Sequence, residues 1–320
     1  MYKFSRVLLA AAMLLSLNSL HAQEYPSKPI KMVVPYASGG STDVWARLIA
    51  EKLREKWGQT VIVENRSGAN GNVGAEYVAR SAPDGYTLLV TAPGPLVINE
   101  SLFPKLGFDP DAFAPVSVAV RAPNVLIVHS KLSIDNVRQL IAQAKANPDQ
   151  LNYASQGSGS TSHLAAESFK MLSGTKIAHI PYKGSAPALT DLLGGQVQMM
   201  FAEISTALPH VRSGRVRALA VGSEKRNPLL PDVPAMSEFL PEFYSATWTG
   251  IVAPPKTPQN ITAMLSAAIN EALKQPDAVK RAQEMSAEIV AGTPAEMTQF
   301  MKQERARWGK VIRATGITVD

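Results

Sequence analysis

From Ile30 onward, short apolar runs alternate with stretches whose apolar residues recur every three or four positions. Ile30–Val34, Thr60–Glu64 and Tyr86–Thr91 have the length and composition of buried strands. Between them, Thr42–Trp57 gathers Trp45, Leu48, Ile49 and Leu53 on one helical face, and Asn72–Ser81 reads as a second helix. Short connections, such as the turn Pro83-Asp84-Gly85, imply right-handed crossovers and a parallel sheet covered on both faces. A second alternating block begins near Val116. Its strands are Asn124–Val128, Asn152–Ser155, Lys176–Ile180, Val197–Phe201 and Val216–Val221. Its helices run from Ser133 to Asn147, Thr161 to Leu172, Ala186 to Leu193 and Thr206 to Arg212.

The last third changes character. Residues 227–242 carry Pro228, Pro231, Pro234 and Pro241 and read as a surface connector. Strand Trp248–Ala253 and helices Pro258–Lys274, Asp277–Met285 and Pro294–Thr315 follow. A late strand after a complete second block predicts that the chain returns to its first half. The expected fold is therefore α/β, with two doubly wound sheets joined by a two-crossing hinge. One lobe comprises 23–123 and 226–320, the other 124–225, with crossings near Arg121–Val128 and Val221–Arg226. In open parallel sheets ligands lie beyond the carboxyl ends of the strands, here the loops after Val34, Thr91, Ser155, Ile180 and Phe201.

Those loops carry a shared chemistry. Gly39-Gly40-Ser41-Thr42, Gly157-Ser158-Gly159-Ser160-Thr161 and Lys183-Gly184-Ser185 each follow a strand and open a helix. Turn and N-cap chemistry accounts for any one of them. Three together, on both halves, point to an anion cleft lined by helix-start N–H groups. Asp43 favours its helix dipole but opposes a bare anion beside it, so it would orient water or bind a donor group on the ligand. Glu203 is equally a solvated loop acid or a site residue. Tyr36 and Tyr182 each follow a proline at a strand end, where a ring walls a cleft or packs in the core.

Residues 1–22 change the setting. Lys3 and Arg6 precede the apolar run Val7–Leu17 and a polar stretch ending at Ala22, the plan of a cleaved export signal. The run is shorter than the ~20 residues of a spanning helix. Without that segment, the formal charge of +6 loses two positive charges and becomes +4. This is a mild basic balance that suits anions, with no lysine–arginine run or aromatic–basic interleaving for nucleic acid. Cysteine is absent, which excludes disulfides, thiol chemistry and a lipidated cysteine anchor. The expected product is a free periplasmic monomer.

Catalytic and cofactor patterns are missing. Ser162 stands where a dinucleotide fingerprint needs its third glycine, and no phosphate-binding P-loop exists. Gly-x-Ser-x-Gly is absent, and His129, His163, His179 and His210 lack metal-ligand spacing. No cofactor or metal is expected. An exported serine hydrolase using Ser158 or Ser160 with His163 is the alternative from another class.

Several stretches together resemble one family. They are Tyr25-Pro-x-Lys-Pro-Ile-Lys, Val-Pro-Tyr-x-x-Gly-Gly-x-x-Asp43, Val-Glu-Asn-Arg66 and Gly68-Ala-Asn-Gly-x-x-Gly-Ala. Pro-Asp-Gly-Tyr86-Thr-Leu, Tyr-Ala-Ser-x-Gly-x-Gly-Ser160, His-Leu-Ala-x-Glu167, Pro-Tyr-Lys-Gly184 and Ser-Gly-Arg-Val-Arg217-Ala-Leu-Ala continue the series. In order and over nearly the whole length after residue 22, these are similar to the Bug family, periplasmic receptors of tripartite tricarboxylate transporters. The resemblance implies a two-lobed Venus flytrap that binds a small organic carboxylate, a dicarboxylate or an aromatic acid, for a two-component membrane permease. A receptor that signals to a sensor kinase fits the same resemblance. It further implies that Tyr36, Ser38, Gly39, Gly40, Ser41, Thr42 and Asp43 hold the ligand from one lobe. Gln156, Gly157, Ser158, Gly159, Ser160, Thr161, Lys183 and Gly184 hold it from the other. Two positions depart from the family pattern and are expected near the ligand's distal end. The loop after the third strand reads Ala92-Pro93-Gly94-Pro95-Leu96 instead of a hydroxyl-rich turn, and Glu203 stands where Asp is common.

Overall fold

The computed structural model describes residues 25–319, so the expected export segment lies outside the described residues. Among the described residues, ten strands join in one curled, mixed sheet in the order β2-β1-β3-β9-β4-β7-β5-β6, with β8 and β10 (Glu288–Ile289) also pairing with β4. The first half contains β1 (Ile30–Val34), β2 (Val61–Asn65) and β3 (Thr87–Thr91), all parallel. β1 forms because Ile30, Met32, Val33 and Val34 are fully buried, while Lys31 reaches out to pair with Glu64 at 2.9 Å. Helix α1 (Ser41–Trp57) lays Trp45, Ile49 and Leu53 on this sheet, each burial contributing about 2 kcal/mol. Left-handed Gly58 ends it, its amide bonded to the Arg54 carbonyl at 2.9 Å.

The expected all-parallel sheet becomes mixed because one strand connects the halves. β4 runs unbroken from Ala114 to His129. Its early part pairs antiparallel with β9 (Ala246–Ala253), and its late part with β7 (Met199–Glu203) and β8 (Val216–Val221). β9 in turn runs antiparallel to β3. Pro115 and Pro123 suggest breaks in the sequence, yet both stay in register opposite Val252 and Ala246, with bulges absorbing the irregularity. In the second half, β5 (Asn152–Ser155) lies parallel to β6 (Ala178–Pro181) and β7. Helix α2 (Thr161–Ser173) covers one face of that half.

The proline-rich stretch packs where the sequence did not put it. Leu230, Ala235, Met236 and Phe243 join the second-half cores, and Ala235 bridges to Val221. Met236 and Phe243 pack with residues of β7 and β8, and β9 begins at Ala246 opposite Pro123 of β4. The C-terminal helix α3 (Pro294–Thr315) is tied to β9 by Glu304. That buried carboxylate accepts from Trp248 Nε1 at 3.0 Å and from the Arg307 fork at 2.6 and 2.7 Å. Trp308, Val311 and Ile312 of the same helix share a cluster with Leu164 of α2, so α3 also touches the second half. Among the described residues no helix is long and apolar enough to cross a membrane.

Candidate ligand-binding cleft

The first jaw is the loop between β1 and α1. Pro35 ends the strand, Gly39 turns the chain at φ +87°, and Gly40 is an extended N-cap residue. Intrahelical bonding starts with the Val44 amide on the Gly40 carbonyl at 3.0 Å. The amides of Ser41, Thr42 and Asp43 therefore have no helical acceptor and face the helix entrance. Ser38, Gly39 and Gly40 are exposed, Ser41 is half-buried and Thr42 is buried.

Asp43 is engaged within this loop. Its Oδ2 accepts from the Gly39 amide and Arg47 Nε, both at 2.9 Å, and its Oδ1 accepts from Asn65 Nδ2 at 2.9 Å. Asn65 Nδ2 also donates to the Tyr36 carbonyl at 3.0 Å. Burial alone would raise the Asp43 carboxyl, but the bonds from Arg47, Gly39 and Asn65 prevail and hold it below the ordinary range. The carboxylate thus staples the loop. Asp43→Ala leaves the Gly39 and Asn65 donors unpaired and is expected to destabilise the protein by about 3 kcal/mol in urea unfolding. With a depressed folded pKa, this contribution is present above the ordinary aspartate range and lost only as pH falls below it.

Tyr36 packs inward. Its hydroxyl lies 3.2 Å from Thr91 Oγ1, and burial pushes the phenol up to about 12. A Cβ on Gly71 would come 3.1 Å from that hydroxyl, so only glycine lets the ring lie there. The loop after β3 also folds inward. Pro93 is buried and Gly94–Ile98 form one π-helical turn whose Leu96, Val97 and Ile98 sit in the core. Only Ala92 of this loop stays half-buried, so its apolar side chains mostly serve packing.

The second jaw follows β5. Gly157 (φ +133°) and Gly159 (φ +76°) shape it, and Ser160 caps α2. Ser160 Oγ donates to the Gly157 carbonyl at 2.7 Å and accepts the His163 amide at 3.3 Å. Two of the loop's amides are turned inward: Gly159 N donates to His163 Nδ1 at 3.0 Å and Gly157 N to Ser155 Oγ at 3.2 Å. Gln156 is different. Its Nε2 is buried and has no partner, a state that calls for an acceptor. The Gly184 amide donates to the Gln156 carbonyl at 3.1 Å, which clips the Lys183–Gly184 loop beside it. Lys183 is exposed and forms no ion pair among the described residues; Ser158 is exposed and Thr161 half-buried.

Ser160 and His163, two residues of the hydrolase alternative, are engaged with the loop's own backbone. The His163 ring stacks on His179 at 3.9 Å and 8°. His179 Nε2 contacts Ser155 Oγ at 2.7 Å, and Ser155 is fully buried. Burial lowers His163 to about 3, with His179 and Lys170 adding to it. Burial also lowers His179 to about 4. Both rings are neutral in the folded protein, whereas each titrates near 6.5 when unfolded. The unfolded chain therefore binds more protons below that pH, and stability falls as pH drops through the window towards 4. The expected loss between pH 7.5 and 4.5 is about 5 kcal/mol for the two rings together, read from urea midpoints, and His179→Asn should flatten the slope.

Two contacts bridge the jaws. Ser41 Oγ donates to Glu203 Oε1 at 3.3 Å, joining the start of α1 to the end of β7. Gly159 lies so close to the first half that a Cβ there would sit 2.5 Å from Leu102 Cδ1 and 3.4 Å from Asn70 Nδ2. Glu203 is half-buried by exposed area yet closely surrounded. Burial pushes its carboxyl above the ordinary range, and the Ser41 hydroxyl offsets this only in part. A small pocket beside this pair is lined by Trp45, Ser205 and Thr249. Asn70 and Leu102 were not singled out by sequence reasoning. The available signal was Asn-Gly within Gly68-Ala-Asn-Gly71, since Asn70 adopts φ +50° and exchanges side-chain and backbone bonds with Asn99 at 2.8 and 3.0 Å. Among the described residues, no group of three or more acidic or histidine side chains could hold a metal.

The geometry has clear relatives. Residues 45–317 match the model of the tripartite tricarboxylate transporter family receptor. Protein BugT of Bordetella pertussis is 42% identical over 298 residues, spanning 92% of this chain and 91% of that protein. R. palustris Rpa4515 with adipate is 38% identical with a TM-score of 0.85, over 92% of this chain and 100% of that one. MatC from Rhodopseudomonas palustris with bound malate is 35% identical with a TM-score of 0.81, over 90% and 100%. The chain belongs to the Bug, or TctC, family of periplasmic solute-binding receptors of tripartite tricarboxylate transporters.

Proposed function

We propose that this protein captures a small organic carboxylate, a dicarboxylate or an aromatic acid, between its two halves and delivers it to a two-component membrane permease. The observation that carries this reading is the buried, unpartnered Gln156 Nε2 in one jaw, set against a second jaw with three unengaged helix-start amides. Ser41, Ser38 and Ser158 add hydroxyls, and exposed Lys183 adds positive potential without a competing acid. The adipate and malate held by the two similar structures support this ligand class. The two halves close as lobes about β4 near Ala122–Asn124 and about the return at Ser245–Ala246, with residues 226–245 moving with the second half. The working protein is a periplasmic monomer cleaved near Ala22.

A thermal-shift screen of adipate, malate and benzoate tests the reading. A ligand at a hundred times its dissociation constant stabilises by about 2.7 kcal/mol, which raises the melting temperature measurably. No stabilisation by any aliphatic or aromatic acid would sink it. Because burial holds the Glu203 carboxyl above the ordinary range, a dianionic ligand should bind more tightly as pH falls into that raised range, with Glu203→Gln removing the dependence.

A further inference from the structure

Behind the crossing strands lies a second cavity of about 600 Å³, within the range of small-molecule sites. Successive residues of β4 point to opposite faces. Val120 and Ala122 accordingly line the small pocket beside Ser41 and Glu203, whereas Arg121 and Pro123 line the cavity behind. On the return strand Ala246 lies behind while Thr247, Trp248 and Thr249 border the small front pocket, and Ala287 borders both spaces. The second cavity is therefore separate from the front cleft and takes its walls from both halves at their junction.

Its lining is unfinished in a specific way. Ser286 is 8% exposed, its Oγ has no hydrogen-bond partner, and its backbone sits at φ +50° without being glycine. A buried unpaired hydroxyl and a left-handed non-glycine residue each carry a penalty, and such features cluster where a ligand completes the structure. Arg121 borders the same space. Glu288 Oε2 engages its Nε and Nη2 at 3.1 and 2.7 Å and the Tyr244 hydroxyl lies against it, which still leaves donors of the five-donor guanidinium over. Glu288 itself is 62% exposed and free to turn into water. Arg226 is paired with Glu238, but exposed Lys225 forms no ion pair among the described residues. Pro123, Leu229 and Ala246 supply the apolar wall.

We propose that this cavity is a second ligand site, for a small organic monoanion with an apolar body. Its carboxylate meets Arg121 and Ser286, Lys225 supplies attraction at the mouth, and its body lies along Pro123 and Leu229. An occupant bears on both crossings at once, so it biases the angle at which the halves meet.

Titration of the protein with 4-fluorobenzoate, followed by fluorine NMR, tests the site without reference to what the front cleft takes. Gly40→Trp obstructs the front and should leave one binding event at wild-type affinity. Arg121→Gln should weaken that event by about tenfold, the loss of one charge-assisted contact, and Lys225→Glu by a smaller factor. If Arg121→Gln lowers the melting temperature, Lys225→Glu, a change at an exposed side chain, decides the matter. Disappearance of all 4-fluorobenzoate binding in Gly40→Trp would place the probe in the front cleft and overturn the proposal while leaving the receptor function standing. Unchanged affinity in both charge variants would overturn it equally.

Discussion

Gly40→Trp should reduce carboxylate affinity by about a hundredfold or more, equivalent to about 2.7 kcal/mol, while the melting temperature stays within about 2 °C of the wild type. The backbone permits the change. Gly40 has φ −74° and ψ 167°, an extended conformation open to any residue, and a Cβ there meets only the Ala37 carbonyl oxygen at 3.9 Å. No side-chain cap is lost, because glycine offers none. The indole instead fills the exposed entrance to α1, where the Ser41, Thr42 and Asp43 amides await an acceptor. Neighbouring Gly39 makes a poorer test, since its φ of +87° strains any side chain and mixes folding with binding. Calorimetric titration with the best acid from the thermal screen gives the answer. Wild-type affinity in Gly40→Trp would remove this loop from the site.

Where burial and local pattern agree, the elements were legible in advance. Ile30–Val34, Asn152–Ser155 and Val216–Val221 were bounded by proline, glycine or polar turns and came out as strands over those same residues. The C-terminal helix Pro294–Thr315 had a capping box at Thr293 and Glu296 and left-handed Gly316 as its stop. The course of β4 was not legible, because proline at 115 and 123 reads locally as a break and only pairing with β9 shows that both are tolerated. The packing of residues 227–242 was hidden for a similar reason. Four prolines suggest a surface connector, and the burial of Met236 and Phe243 against the second half is a tertiary fact.

The candidate site divides in the same manner. Glycines and hydroxyls at strand ends marked both candidate loops, but not the direction of each polar atom. Asp43 turned out to hold its own loop, and Leu96 turned into the core. Asn70 and Leu102 meet Gly159 only because the two halves are brought face to face. A single sequence carries local backbone needs clearly and long-range partners hardly at all.

The crossings themselves depend on one glycine, and Gly222→Val should destabilise the protein by about 3 kcal/mol or more. Its amide donates to the Asn124 carbonyl at 2.6 Å, and its carbonyl accepts from the Ser245 amide at 2.9 Å. The Asn124 amide donates to the Ser245 carbonyl at 3.1 Å, and Asn124 Nδ2 to Ser245 Oγ at 2.7 Å. These three residues mark the point where β4 leaves the first half and the chain later returns to it. A Cβ on Gly222 would lie 2.4 Å from the Ser245 carbonyl oxygen and 3.1 Å from that of Asn124, both backbone atoms that cannot swing aside. Valine adds two further carbons to that clash, so the crossings must separate and their hydrogen bonds stretch. Gly292→Ala is the control. Its Cβ would make ordinary contacts of 3.6 to 3.8 Å with the Glu296 and Val290 side chains, and it should shift stability by no more than about 1 kcal/mol. Urea unfolding of both variants measures the difference. Near-equal midpoints would mean that the halves are held together elsewhere, with α3 against α2 the next place to look.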